Sequence, residues 1–292
     1  MTTTYFVTGV TGTVGHQVAV ELLHHEDARV RVGARDVQAP KARALAELGA
    51  EVVPFDYENR AAVREALSGV HRAVFVPPLV ENLDQLVSGA VAEAAAAGVS
   101  HIVRVSAHGA DPNAPFALAR WHGNADVEVA ESGVSYTILQ PTFFQDNVLN
   151  IHGESLRSQG AFYGASGGAR VAYISSADIA RTAAAVLRDP SSHAGKTYLL
   201  TGKEAVTDAE VAGLLTEITG KQISYVDLPP DELGAGVRDS GAPAWLADAL
   251  VALEGVKAQG WASEPSPAVA EITGKPPESY RSFLARTASS LG

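Results

Sequence analysis

The run Thr8-Gly9-Val10-Thr11-Gly12-Thr13-Val14-Gly15 is the feature that most restricts what this chain can fold into. It follows the apolar segment Tyr5-Phe6-Val7 and opens a helix-like stretch ending near His24. A strand, a glycine turn and a helix in that order form a cradle for a dinucleotide. Gly9 supplies the tight turn, Gly12 the approach of a pyrophosphate to bare backbone, and Gly15 the close packing of helix on strand. The helix amino end then offers N–H donors and a positive dipole to phosphate. Gly9, Thr11, Gly12, Thr13, Val14 and Gly15 are the expected cofactor contacts of this loop.

Arg29 to Gly33 reads as a second strand, and Arg35 stands at its end, 20 residues after Gly15. An NAD site places an acid there for the ribose 2′-hydroxyl, whereas arginine suits a 2′-phosphate, so NADP(H) is the expected cofactor. Lys41 adds positive charge if the intervening loop folds back, and Asp36 opposes it. Glu51 to Phe55 reads as a third strand ending in Asp56. That carboxylate is expected to bond the adenine amino group, to cap the helix starting near Asn59, or to do both.

Ala73 to Val76, Ile102 to Val105 and Tyr136 to Leu139 continue a series of Val-rich runs separated by Ala-rich amphipathic stretches, Leu83 to Ala97 and Phe116 to Glu131 among them. This alternation predicts an α/β fold, a Rossmann-type doubly wound parallel sheet. After Pro141 the rhythm breaks. Val171 to Ile174 is expected as a strand, Ser176 to Leu187 as a helix, and Lys196 to Leu200 as a strand returning to the sheet edge. Helix-like segments at Ala209 to Thr219, Pro243 to Gln259 and Ser279 to Ala288 then alternate with Gly- and Pro-rich connectors. The expected organisation is a cofactor-binding core over 1–150, rejoined by 171–200, and a smaller, mostly helical substrate lobe made of 151–170 and 201–292.

Composition narrows the function. Net charge is −11 and there are no cysteines among 292 residues. An acidic chain without a basic block is a poor ligand for nucleic acid or an anionic membrane, and thiolate chemistry and disulfides are excluded. No secretory or membrane-spanning pattern is legible, so a cytoplasmic protein is expected. Nine histidines lack any metal-ligand spacing, and no metal is expected. Gly164-Ala165-Ser166-Gly167-Gly168 matches a hydrolase elbow in letters only, because a strand and not a helix should follow it. Gly195-Lys196-Thr197 fails as a phosphate loop for the same reason, and Pro190 replaces its first glycine.

Together, Thr8 to Gly15, Val32-Gly-Ala-Arg35-Asp, Val103-Arg-Val-Ser106, Trp121-His-Gly123, Tyr136 to Asn147 and Ile272 to Phe283 span nearly the whole chain. In these segments it resembles the NmrA-like atypical short-chain dehydrogenase/reductases, a family holding quinone and dye reductases, biosynthetic enzymes and cofactor-sensing regulators. The resemblance implies NADPH over the glycine loop with Arg35 at the 2′-phosphate. It places Val76-Pro77-Pro78 beside the adenosine and pyrophosphate, and Pro141, Thr142, Phe143 and Phe144 beside the nicotinamide. The family motif often begins with arginine where this chain has Gln140.

None of the eight tyrosines has a lysine four residues later, so the usual short-chain Tyr-x-x-x-Lys acid is missing. The positional counterpart is His122, with Asp126 one helical turn on to orient it. Ser106 and His108, after the fifth strand, are expected to face the same crevice, with Ser106 at the nicotinamide ribose. Phe144, Asn147, Phe162 and Tyr163 are expected to bind a planar acceptor, with a place in the lobe's core the equal alternative for Phe162 and Tyr163. The expected function is transfer of hydride from NADPH to a conjugated small molecule such as a quinone, enone, dye or biosynthetic intermediate. The alternative is a catalytically silent NADP(H)-sensing binding protein. A homodimer is compatible with the sequence, and no motif specifies one.

Overall fold

The computed structural model describes residues 2–288. The outermost bounds expected above, at residue 1 and at 289–292, lie outside them. Along the chain run β1 (Thr3–Val7), α1 (Thr13–Leu23), β2 (Ala28–Ala34), α2 (Pro40–Glu47), β3 (Glu51–Pro54), α3 (Arg60–Leu67) and β4 (Arg72–Phe75). Then come α4 (Leu83–Ala96), β5 (His101–Val105), α5 (Ala117–Glu131) and β6 (Ser135–Pro141). They are followed by α6 (Asn147–Asn150), α7 (Gly153–Gln159), β7 (Ala161–Gly164), α8 (Ser176–Arg188) and β8 (Lys196–Leu200). Last are α9 (Asp208–Thr219), β9 (Ser224–Asp227), α10 (Pro230–Asp239), α11 (Ala244–Ala258), α12 (Ala268–Thr273) and α13 (Tyr280–Thr287).

Seven strands form one parallel sheet in the order β3-β2-β1-β4-β5-β6-β8. Its strands are short apolar runs buried on both faces, as Phe6, Val7, Val32, Phe75, Ile102, Val103 and Leu139 show. The order reverses between β1 and β4, which creates the crevice in which doubly wound sheets take ligands. Helix α8 buries Ile179, Ala183 and Leu187 at helical spacing, and β8 closes the sheet edge as the sequence predicts.

The chain divides into two compact units. The first comprises the residues up to Pro141, Ser176–Leu200 and Glu271–Gly274; the second comprises Thr142–Ser175, Thr201–Ala270 and the residues from Lys275 onward. The first unit thus ends at Pro141 and not at 150, and the return to it begins at Ser176 and not at 171. Hydrogen bonds give the reason: Thr142 Oγ1 donates to Ala172 O, Gln145 N to Ile174 O, and Ile174 N to Phe143 O. These bonds commit residues 142–145 to the 171–174 segment.

Within the second unit, Val171 to Ile174 forms two isolated bridges, to Val206 and to Phe144, in place of the expected strand. Two four-residue strands that patterning missed, β7 and β9, pair in parallel, so that unit is less purely helical than its sequence suggests. Such strands are too short for alternation to reveal them. Its core gathers Leu156, Phe162, Val211, Leu215, Phe283 and Leu284. Helix α9 starts with a capping box between Thr207 and Glu210.

Candidate cofactor and active site

The glycine loop is fastened from below by Thr8. This fully buried residue donates its N–H to Val74 O and accepts at Oγ1 from Val76 N at 2.8 Å, while Tyr57 OH lies 2.8 Å from the same oxygen. The end of β1 is therefore held against the end of β4 and the segment after β3. Gly9 has φ +67°, and a Cβ there would stand 2.7 Å from Val76 O. A Cβ on Gly15 would overlap the Thr8 and Gly9 carbonyls. Gly12 differs, since its added Cβ meets only Gly9 O, at 3.2 Å. Gly9 and Gly15 are thus required by the fold itself, whereas Gly12 is left as bare backbone facing outward. It is also the N-cap of α1; no side chain caps that helix and no acid sits in its first turn. The positive helix end keeps its dipole for an anionic ligand, and the loop fits a pyrophosphate.

Arg35, just beyond β2, is exposed and makes no ion pair with a described residue. The neighbouring Asp36 does not neutralise it, because Asp36 Oδ1 is turned to Gln38 N at 2.8 Å. Lys41 begins α2 close enough to His16 on α1 to help burial hold that imidazole below its usual pKa. The structure thus brings Lys41 and His16 together; His16 carried no signal beyond lying one turn after Gly12. Asp56 is not the cap of α3. Asn59 takes that role, accepting from Ala61 N and Ala62 N, and Asp56 Oδ1 accepts from Glu58 N in a local turn. Pro77 is half-buried immediately after Val76, the residue tied to Thr8.

The polar centre of this unit is a residue that sequence reasoning passed over. Arg104, on β5, is fully buried. Its Nε lies 3.0 Å from Asp126 Oδ1, its Nη1 donates to Val105 O at 2.7 Å, and its Nη2 donates to His122 Nδ1 at 3.2 Å. Ser106 Oγ donates to Asp126 Oδ2 at 2.7 Å and Gln140 Nε2 to the same oxygen at 3.2 Å. Asp126 therefore does not orient His122, as expected from their spacing; Arg104 stands between them and takes the carboxylate. Burial raises the Asp126 pKa, and Arg104, Ser106 and Gln140 act against that rise. For His122 desolvation and the adjacent guanidinium act together, and its pKa is pushed down to about 3. The expected pH-7 acid is thus a neutral imidazole. Gln140 brings no charge where the resembled motif often begins with arginine, and its Nε2 is spent on Asp126.

Ser106 N bonds Leu139 O and His108 N bonds Pro141 O, extending the β5–β6 pairing past β5. Ser106 directs its own proton to Asp126. The His108 imidazole has no hydrogen bond to a described residue, and burial lowers its pKa. Gly123 explains the third letter of Trp-His-Gly: a Cβ there would overlap the Asp111–Pro112 peptide, so glycine lets that loop lie on α5.

In the second unit, Thr142 is buried with its hydroxyl on Ala172 O. Phe143 packs edge-on to Tyr173, and Lys257 Nζ lies 5.1 Å from the Phe143 ring centre. Phe144 is half-buried and bridges Ile174; Asn147 starts α6. Phe162 departs from its expected place on an acceptor pocket. At 4 % exposure it is a core residue packed on His152 and Tyr225. Tyr163, its neighbour on the opposite strand face, is half-buried and donates to Gln159 Oε1 at 2.5 Å. Ser166 is buried and donates to Asp208 Oδ2 at 2.8 Å, and no helix follows it, so the elbow reading is excluded structurally as well. Among the described residues no acidic or histidine cluster could hold a metal, and no helix is long and apolar enough to cross a membrane.

Residues 9–190 match the model of the NAD(P)H-binding family. The chain is 32% identical over 286 residues to the NAD(P)H azoreductase of Xenophilus azovorans, covering 98% of each chain. It superimposes on the Escherichia coli NADPH-dependent quinone oxidoreductase solved with NADPH at a TM-score of 0.84, with 30% identity, over 98% of this chain and 99% of that one. For the Citrobacter sp. triphenylmethane reductase solved with NADP(H), the TM-score is 0.83 and the identity 26%, over 97% and 99%. With its glycine loop, its β1/β4 crevice and these relatives, the chain belongs to the NAD(P)H-binding family.

Proposed function

We propose that this protein is an NADPH-dependent reductase of conjugated small molecules, with quinones and dyes as the first acceptors to examine. The observation that carries the cofactor half of this reading is Arg35: an exposed guanidinium without a carboxylate partner among the described residues, at the strand end where NAD sites carry an acid. The capless amino end of α1 supports it, as do the azoreductase and the NADPH-bound quinone oxidoreductase among the relatives.

In this reading Gly9, Thr11, Gly12, Thr13, Val14 and Gly15 hold the pyrophosphate, Arg35 and Lys41 the 2′-phosphate, and Asp56 and Pro77 the adenosine. Ser106 and Pro141 belong to the nicotinamide end. When bound, NADPH supplies the hydride. The chain's own residues position the reactants: His122 and His108 of the first unit present uncharged imidazoles. No side-chain acid is required, because hydride turns a quinone into a stabilised anion that water protonates and a cationic dye directly into a neutral product.

The test has two stages. NADPH and NADH are titrated into cofactor-free protein by nicotinamide fluorescence, and NADPH consumption is then followed with 1,4-naphthoquinone and a cationic triphenylmethane dye. Tighter NADPH binding followed by turnover supports the reductase. Tight binding without consumption of any acceptor replaces it with the cofactor-sensing reading, and equal affinity for both nucleotides removes the role given to Arg35.

A further inference from the structure

We infer that Arg104 holds His122 as the neutral tautomer protonated at Nε2, making this imidazole a fixed hydrogen-bond donor and not a proton-transfer acid. A guanidinium has only N–H donors, so the 3.2 Å contact between Arg104 Nη2 and His122 Nδ1 requires Nδ1 to be the acceptor. A neutral imidazole carries one ring proton, which must then be on Nε2. Nε2 makes no hydrogen bond to a described residue, so its N–H is the group left for a ligand.

Arg104 cannot turn away to permit the other tautomer. It is fully buried, with Nη1 on Val105 O, Nη2 also near His122 O at 3.4 Å, and Nε on Asp126. The groups facing this pair come from four elements: Ser106 after β5, Asp126 on α5, Gln140 on β6, and Tyr57 after β3, which interacts electrostatically with Arg104. Asp126 is the carboxylate among them, and both its oxygens are engaged by Arg104, Ser106 and Gln140. Protonating His122 would set a second cation against a buried guanidinium with no second anion to offset it. Arg104 is in this sense a positioning residue. Its effect on turnover rests on the reductase reading above; the tautomer does not.

The experiment is a two-bond nitrogen–proton correlation spectrum of the full-length protein labelled with ¹⁵N-histidine, with His122 assigned by its loss in His122→Asn. The expected result is an unprotonated Nδ1 and a protonated Nε2 that do not titrate between about pH 5 and 8. A protonated Nδ1, or titration in that range, overturns the inference, and this readout needs neither cofactor nor acceptor. In the charge-neutral double variant Arg104→Met/Asp126→Asn, the fixed pattern should give way to a mixture of tautomers; an unchanged pattern overturns the role of Arg104. In wild type, kcat with naphthoquinone should vary by less than about twofold over the same range, whereas an acidic limb would overturn the donor role. Loss of all turnover with the tautomer intact would count against the reductase reading alone.

Discussion

Arg104 Nη2 meets His122 twice, at Nδ1 3.2 Å away and at the backbone oxygen 3.4 Å away, and these contacts place a cation where spacing along α5 had suggested a carboxylate. If His122 Nε2–H bonds the acceptor as its oxygen gains charge, His122→Ala should lower kcat about 10- to 100-fold, the range expected for one neutral donor. NADPH affinity should stay within about twofold, since the change affects the acceptor and not the nucleotide. Steady-state kinetics with a cofactor titration checks both, and equal losses in the two would assign His122 to the scaffold.

On the proposed assignment, Arg35→Ala removes a charge-assisted contact to the 2′-phosphate that NADH cannot make. The expected penalty is about 1.5–3 kcal/mol for NADPH, roughly 10- to 100-fold in Kd, with little change for NADH. Parallel fluorescence titrations of the two nucleotides measure it.

The glycines of the loop should separate into two classes. Gly15→Ala pushes a methyl into the Thr8 and Gly9 carbonyls and should destabilise the fold by about 2–4 kcal/mol. Gly12→Ala meets only a 3.2 Å approach and should change stability less while weakening nucleotide binding. Thermal melts set beside titrations distinguish them; equal melting losses would contradict the distinction.

Acid should destabilise the protein well above the carboxylate range. His101, between Ser135 Oγ at 2.9 Å and Thr137 Oγ1 at 3.1 Å, is pushed by burial down to about 4, and His152 is likewise lowered to about 4. In the unfolded chain both take up protons near pH 6.5, so the unfolded state binds more protons between about pH 4 and 6.5. Stability therefore rises with pH through that window and is lost as pH falls. A full shift of this size corresponds to about 3 kcal/mol for one group. Urea denaturation at several pH values should show the midpoint falling below pH 6.5, less so in His101→Gln.

Asp208 anchors two buried hydroxyls, Tyr173 OH at 2.6 Å and Ser166 Oγ at 2.8 Å. Asp208→Ala leaves both without their acceptor and should cost about 2–4 kcal/mol. Asp208→Asn keeps an acceptor oxygen and should cost less. Chemical denaturation of the two variants decides the order.

The sequence by itself determined the elements that depend on local pattern. Apolar runs between amphipathic stretches specified parallel strands covered on both faces, and Gly9 and Gly15 marked a turn and a helix contact that only glycine allows. Arg35 was legible because its meaning comes from its position relative to a glycine loop. Only the tertiary structure decided the identity of the groups around His122. Arg104 and His122 are 18 residues apart and meet through the packing of α5 on β5, while Asp126, correctly spaced for His122, is drawn to the stronger charge of a buried guanidinium. Phe162 shows the same limit: an aromatic side chain has one apolar signature in sequence, and whether it lines a pocket or fills a core depends on which chain segments close over it.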